Sequence, residues 1–148
     1  MLAGATDPGQ PTVWPGLDVI HGGEEMKLRI LIADDHEVVR RGLCALLQAR
    51  EGWEICAEAK DGREAVEKAA QLKPDVVILD VGMPGMSGPE LQRELKLRGQ
   101  HIPIVFITAN RDEAVRPRVL AQGAVACLFK PFSDTALLEA LNTALQVN

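Results

Sequence analysis

Val76-Val77-Ile78-Leu79-Asp80 is a run of four branched apolar residues closed by a carboxylate, and its reading decides the fold. A strand with one wet face alternates apolar and polar residues. A run without alternation fits a parallel strand covered by helices on both faces. Outward from it, residues 28–33, 53–58, 104–108 and 125–129 read as four more strands. Within 53–58, Trp53, Ile55 and Ala57 alternate with Glu54, Cys56 and Glu58, which predicts an edge strand with one wetter face. Between the strands run helical stripes: Val39, Leu43, Leu46 and Leu47; Ala65, Val66, Ala69 and Ala70; Leu91 and Leu95. A last helix carries Leu137, Leu138, Leu141, Ala144 and Leu145, with Ser133 or Asp134 as its cap. Five βα repeats joined by right-handed crossovers give a doubly wound, five-stranded parallel sheet in a three-layer α/β sandwich.

The 148 residues suit one domain with a full core, and the 47% hydrophobic and 25% charged fractions are those of a globular protein. Apolar runs fall far short of the roughly 20 residues a membrane span requires. No basic flank precedes an apolar stretch at the start, so neither a secretory signal nor a membrane partner is expected. Three cysteines, Cys44, Cys56 and Cys127, cannot all pair, and they read as small core hydrophobes in a reducing cytoplasm.

Charge locates a boundary. Residues 1–25 hold Asp7, Asp18, Glu24 and Glu25 without a Lys or Arg, and 8 of the 25 are Gly or Pro, so they read as a flexible tail. Trp14 is the one large apolar group there. The body, 26–148, opens at Met26, an alternative start, and carries 16 basic against 17 acidic side chains. So balanced a body offers no basic field for direct nucleic-acid binding.

In such sheets ligands gather beyond the carboxyl ends of the strands. Those ends carry Asp34-Asp35, Asp80, Thr108 and Lys130-Pro131. Each alone is an ordinary turn or cap residue; together they place three carboxylates, a hydroxyl and an ammonium on one edge. Close carboxylates repel, so one holds a proton or a cation sits among them. Oxygen donors suit a hard, part-hydrated ion such as Mg2+. A free carboxylate beside Mg2+ and a lysine is suited to phosphoryl transfer.

Ile32-Ala33-Asp34-Asp35-His36, the stretch Val77 through Gly88, Thr108-Ala109 and Lys130-Pro131-Phe132 resemble the receiver domains of two-component response regulators, the CheY-like family, over about Lys27 to Gln146. Residues 34–43 look most like receivers of LuxR-type regulators. The resemblance implies a flavodoxin-like (βα)5 sandwich in which Asp80 accepts a phosphoryl group from a histidine kinase or a histidine phosphotransfer protein. It implies that Asp35 ligates Mg2+ directly, Asp34 mainly through water and Gly82 through its carbonyl, with Asp80 beside them. Thr108 and Lys130 would bind the phosphoryl oxygens, and the Lys130-Pro131 bond would be cis. Such a domain catalyses only its own phosphorylation and dephosphorylation. It signals to a downstream protein by remodelling the face of the fourth helix, last strand and last helix, as a monomer or weak dimer.

Two positions depart from the pattern. Three residues before the lysine, where an aromatic ring commonly stands, the chain has Cys127. Pro117 falls near the middle of the expected fourth helix, where a fully interior proline costs ~3 kcal/mol, and predicts a late-starting, kinked or mobile helix on the face expected to signal. Gly82 and Asn110 occupy positions that tune phosphate lifetime in the family. Three rival readings remain: a phosphorylation-independent docking receiver, a receiver fragment of a longer DNA-binding regulator, and a haloacid-dehalogenase-like phosphatase. The last wants a second acid two residues after the nucleophile, where this chain has Gly82.

Overall fold

The computed structural model describes residues 19–20, 24–25, 28–109 and 114–147. Strands β1 (Val19–Ile20) and β2 (Glu24–Glu25) pair antiparallel, inside the segment expected to be unstructured. The rest of that tail, Trp14 included, lies outside the described residues. The body has strands β3 (Leu28–Ala33), β4 (Trp53–Ala59), β5 (Val76–Asp80), β6 (Ile104–Thr108) and β7 (Ala126–Phe129). Helices α1 (Glu37–Gln48), α2 (Gly62–Leu72), α3 (Gly88–Leu97), α4 (Val115–Ala121) and α5 (Asp134–Val147) alternate with them. The sheet is wholly parallel, in the order β4-β3-β5-β6-β7, so β4 lies at an edge, as expected.

Both faces are buried, and this is why the central strands lack polar alternation. Ile30, Ile32, Val76, Ile78, Val105 and Ile107 pack with Leu43 and Leu47 of α1 and Leu137 and Leu141 of α5. Leu31, Val77, Leu79 and Phe106 face the other way, onto Ala65, Val66 and Ala69 of α2, Leu91 and Leu95 of α3, and Val115 and Val119 of α4. Ala70, expected in the α2 stripe, is exposed. Of the two cap candidates before α5, Ser133 serves: its Oγ accepts from the Ala136 N–H at 3.0 Å, and Asp134 is already helical.

The alternation expected in β4 fails after Ile55. Ile30 pairs with Ile55 but Leu31 pairs with Ala57, so Cys56 is the extra residue of a bulge. Trp53 and Ile55 therefore pack on the α1–α5 face, while Ala57 packs on the other. Glu58, in register with Ile32, lies on the α1 side and takes a hydrogen bond from Arg40 Nε at 3.2 Å.

Helix α4 begins late, as Pro117 implied. Ala114 is its N-cap and Val115 its first residue, so Pro117 is the third. Its missing N–H is among the four that no helix can satisfy internally. The loop after β5 is held by a close approach. A Cβ on Gly88 would lie 2.7 Å from Phe106 and 2.9 Å from Val81, and the Gly88 N–H donates to Val81 O at 2.8 Å. Ser87 and Glu90 then form a capping box that starts α3.

Candidate functional site: an acidic edge closed by one lysine

The parallel register sets the site. Ala33 pairs with Leu79 and Asp80 with Ile107, so Asp34, Asp80 and Thr108 emerge side by side at the carboxyl edge. Asp34 is fully buried, Asp80 is 4% exposed and Thr108 2%. Asp35 turns outward to solvent. Thr108 also pairs with Phe129, and the Lys130 N–H donates to Thr108 O at 2.8 Å, which aims the lysine back over the edge. The Lys130-Pro131 bond is cis, as the resemblance implied.

Lys130 Nζ lies 2.8 Å from Asp34 Oδ2 and 3.8 Å from Asp80 Oδ2. One ammonium thus faces two buried carboxylates, and it serves them unequally. For Asp34, burial alone would push the carboxyl up, but the Lys130 hydrogen bond and charge and the His36 N–H outweigh it and hold the group below its ordinary value. Asp80 is pushed up to about 6, first by burial and then by the negative charge of Asp34, with Lys130 and the Gly82 N–H opposing. That N–H donates to Asp80 Oδ1 at 3.3 Å. Beside Asp35 a cleft of about 660 Å³ opens to solvent between Lys60, Asp61, Arg63, Pro84, Gly85 and Met86.

Asp34, Asp35, Asp80 and His36 each present a ligand atom within 4.8 Å of the others. This donor set fits a divalent cation: two nearly dry carboxylates share one lysine, a third lies at the rim, and a dication would offset the remaining negative charge. Gly82 bonds Asp80 through its N–H. Asn110 lies outside the described residues.

Sequence reasoning missed three residues. In the sequence His36 is only part of the motif, yet its Nδ1 is 2.9 Å from Asp34 Oδ1 and 3.3 Å from Asp35 Oδ1. Arg40 Nη1 donates to Asp34 O at 2.6 Å and so braces the turn. Arg116 donates through Nε and Nη2 to Cys127 O at 3.1 and 2.8 Å, and its Cζ sits 4.6 Å from the Phe129 ring centroid. The spacing of His36 and Arg40 along the first turn of α1 was the available signal; Arg116 had none, because its partner is a backbone carbonyl on another element.

No helix among the described residues is long and apolar enough to cross a membrane. Residues 30–142 match the family described as the response regulator receiver domain. The transcriptional regulatory protein LnrK of Bacillus subtilis is 35% identical over 116 residues, 78% of this chain and 53% of that protein. The transcriptional regulatory protein PdtaR of Mycobacterium tuberculosis is 42% identical over 117 residues, 79% of this chain and 56% of that protein. The chain thus spans about half the length of these curated relatives. Among solved structures, the signal receiver domain of the putative response regulator NarL from Mycobacterium tuberculosis superposes with a TM-score of 0.78 at 28% identity, covering 83% of this chain and 99% of that one. With sheet order, acidic edge and lysine all in agreement, the chain belongs to the response regulator receiver domain family.

Proposed function

We propose that Asp80 is a phosphoacceptor, charged by a phosphohistidine on a partner kinase or phosphotransfer protein, in a Mg2+-dependent reaction in the cytoplasm. The observation that carries this reading is Lys130 Nζ, poised between Asp34 and Asp80 at 2.8 and 3.8 Å on the carboxyl edge. A pKa of about 6 leaves about nine in ten Asp80 side chains ionised at pH 7. An Asp80 carboxylate oxygen attacks phosphorus, the P–N bond to the donor imidazole breaks, and the imidazole takes a proton from solvent. Lys130 and the Thr108 hydroxyl receive the equatorial oxygens as charge builds on them. Asp34, Asp35, Asp80 and the Gly82 carbonyl would hold Mg2+, which when bound supplies further neutralisation of the transferring group.

The acyl phosphate formed is the domain's own, and hydrolysing it is the only turnover assigned to it. The output goes to a downstream protein through the α4–β7–α5 face or, if the chain is part of a longer regulator, to an attached domain. Intact mass after incubation with acetyl phosphate and Mg2+ tests the reading. A phosphoryl adduct on the wild type and none on Asp80→Ala supports it; an adduct of equal size on both overturns it.

A further inference from the structure

We infer that His36 is a ligand of the divalent ion, and that its imidazole gives this site a preference for first-row transition ions over Mg2+. The inference rests on the metal-binding reading above and deepens it. His36 is the N-cap of α1, a position where a short polar side chain ordinarily accepts a hydrogen bond from the helix. Here the side chain makes no cap hydrogen bond. Instead its ring turns toward the acidic edge, with Nδ1 2.9 Å from Asp34 Oδ1, 3.3 Å from Asp35 Oδ1 and 4.0 Å from Asp80 Oδ2.

The backbone holds it there. The His36 N–H donates to Asp34 Oδ1 at 2.8 Å, and the His36 carbonyl accepts the Arg40 N–H at 3.1 Å. Arg40 also grips the Asp34 carbonyl, so the root of the imidazole is fixed from both sides. The side chain itself is 61% exposed, so the ring is open to solvent.

Three carboxylates alone favour Mg2+, Ca2+ or Mn2+; an added imidazole shifts preference toward Co2+, Ni2+, Fe2+ or Zn2+. The ion at this site then depends on what the surroundings supply, with Mg2+ taking it by abundance.

The test uses the full chain titrated calorimetrically with Co2+ and separately with Mg2+, for wild type, His36→Ala and Asp35→Asn. Loss of His36 lowers Co2+ affinity by about tenfold or more and Mg2+ affinity by less than about twofold. Asp35→Asn weakens both. The Co2+ form of the wild type shows a strongly hyperfine-shifted carbon-bound imidazole proton resonance, absent from His36→Ala. Co2+ binding without that resonance, or equal losses for both ions in His36→Ala, overturns the assignment of His36 and leaves the carboxylate site standing. Failure of the wild type to bind either ion overturns both readings together.

Discussion

The acidic edge between β3 and β5 and the neighbouring edge between β6 and β7 are built on different terms. At the first, Lys130 Nζ stands 2.8 Å from Asp34 and 3.8 Å from Asp80, two buried carboxylates. At the second, where the family resemblance implies an aromatic ring, Cys127 is 3% exposed within a packed core. Arg116 reaches down from α4, bonds the Cys127 carbonyl and covers Phe129. The phosphoryl chemistry proposed for the first edge constrains charge and distance, which few side chains satisfy. Relaying a movement constrains only packing, which many do. The chain keeps the first set and rebuilds the second.

Substituting Asp80 breaks the comparison most completely. Asp80→Asn should take up no phosphoryl group, read by intact mass, and yet fold more stably. Its carboxyl is raised from 3.8 to about 6 in the folded state, so ionisation above pH 6 opposes folding by up to about 3 kcal/mol. Between about pH 4 and 6 the folded wild type binds more protons than the unfolded chain, so its stability falls as pH rises through that window. Asp80→Asn loses this slope, checked by urea denaturation at pH 4.5 and 7. Asp34 acts with the opposite sign at lower pH. Its depressed carboxyl adds stability above its ordinary value of 3.8, and that stability is lost as pH falls through its folded value.

Lys130→Ala attacks the same edge from the other side. Two buried carboxylates then lack their cation, and stability at pH 7 should drop by about 3 kcal/mol. The deficit shrinks at pH 5, where Asp80 protonates, and on adding Mg2+. A loss that ignores both pH and Mg2+ would show that the lysine acts by packing alone. On the rebuilt side the expected effect is smaller. Cys127→Tyr places a large ring where a small thiol is nearly fully buried, costing about 1–3 kcal/mol, while the Asp80 adduct still forms. Unchanged stability would reveal room for the missing ring and so erase the distinction between the two edges.

The difference also governed what was legible in the sequence. Residues that end parallel strands announce themselves, since Asp34, Asp80, Thr108 and Lys130 each follow an apolar run that also identifies the strand. Four helices followed from their stripes, except that Ala70 proved exposed, whereas α4 was expected only from the resemblance. The bulge at Cys56 was hidden because it depends on the register with Leu31, which local alternation does not encode. The direction of the His36 ring and the reach of Arg116 were hidden for a similar reason: each is fixed by a partner on another turn or element.

Pro117 is the position where sequence and structure meet most closely, and it carries the smallest expected effect. In a helix interior a proline costs ~3 kcal/mol, through a lost hydrogen bond and a clash with the preceding turn. Here it is the third residue of α4, where the N–H has no intrahelical acceptor. Pro117→Ala then trades a little helix propensity for a freer unfolded chain, a loss of about 0.4–1 kcal/mol. The two nearly cancel, and the net change should stay within about 0.5 kcal/mol by urea denaturation. A gain near 3 kcal/mol would mean that the proline strains an interior turn. A near-zero change makes Pro117 a start signal, which sets how short α4 is and leaves Arg116, one residue earlier, in the first turn from which it holds β7.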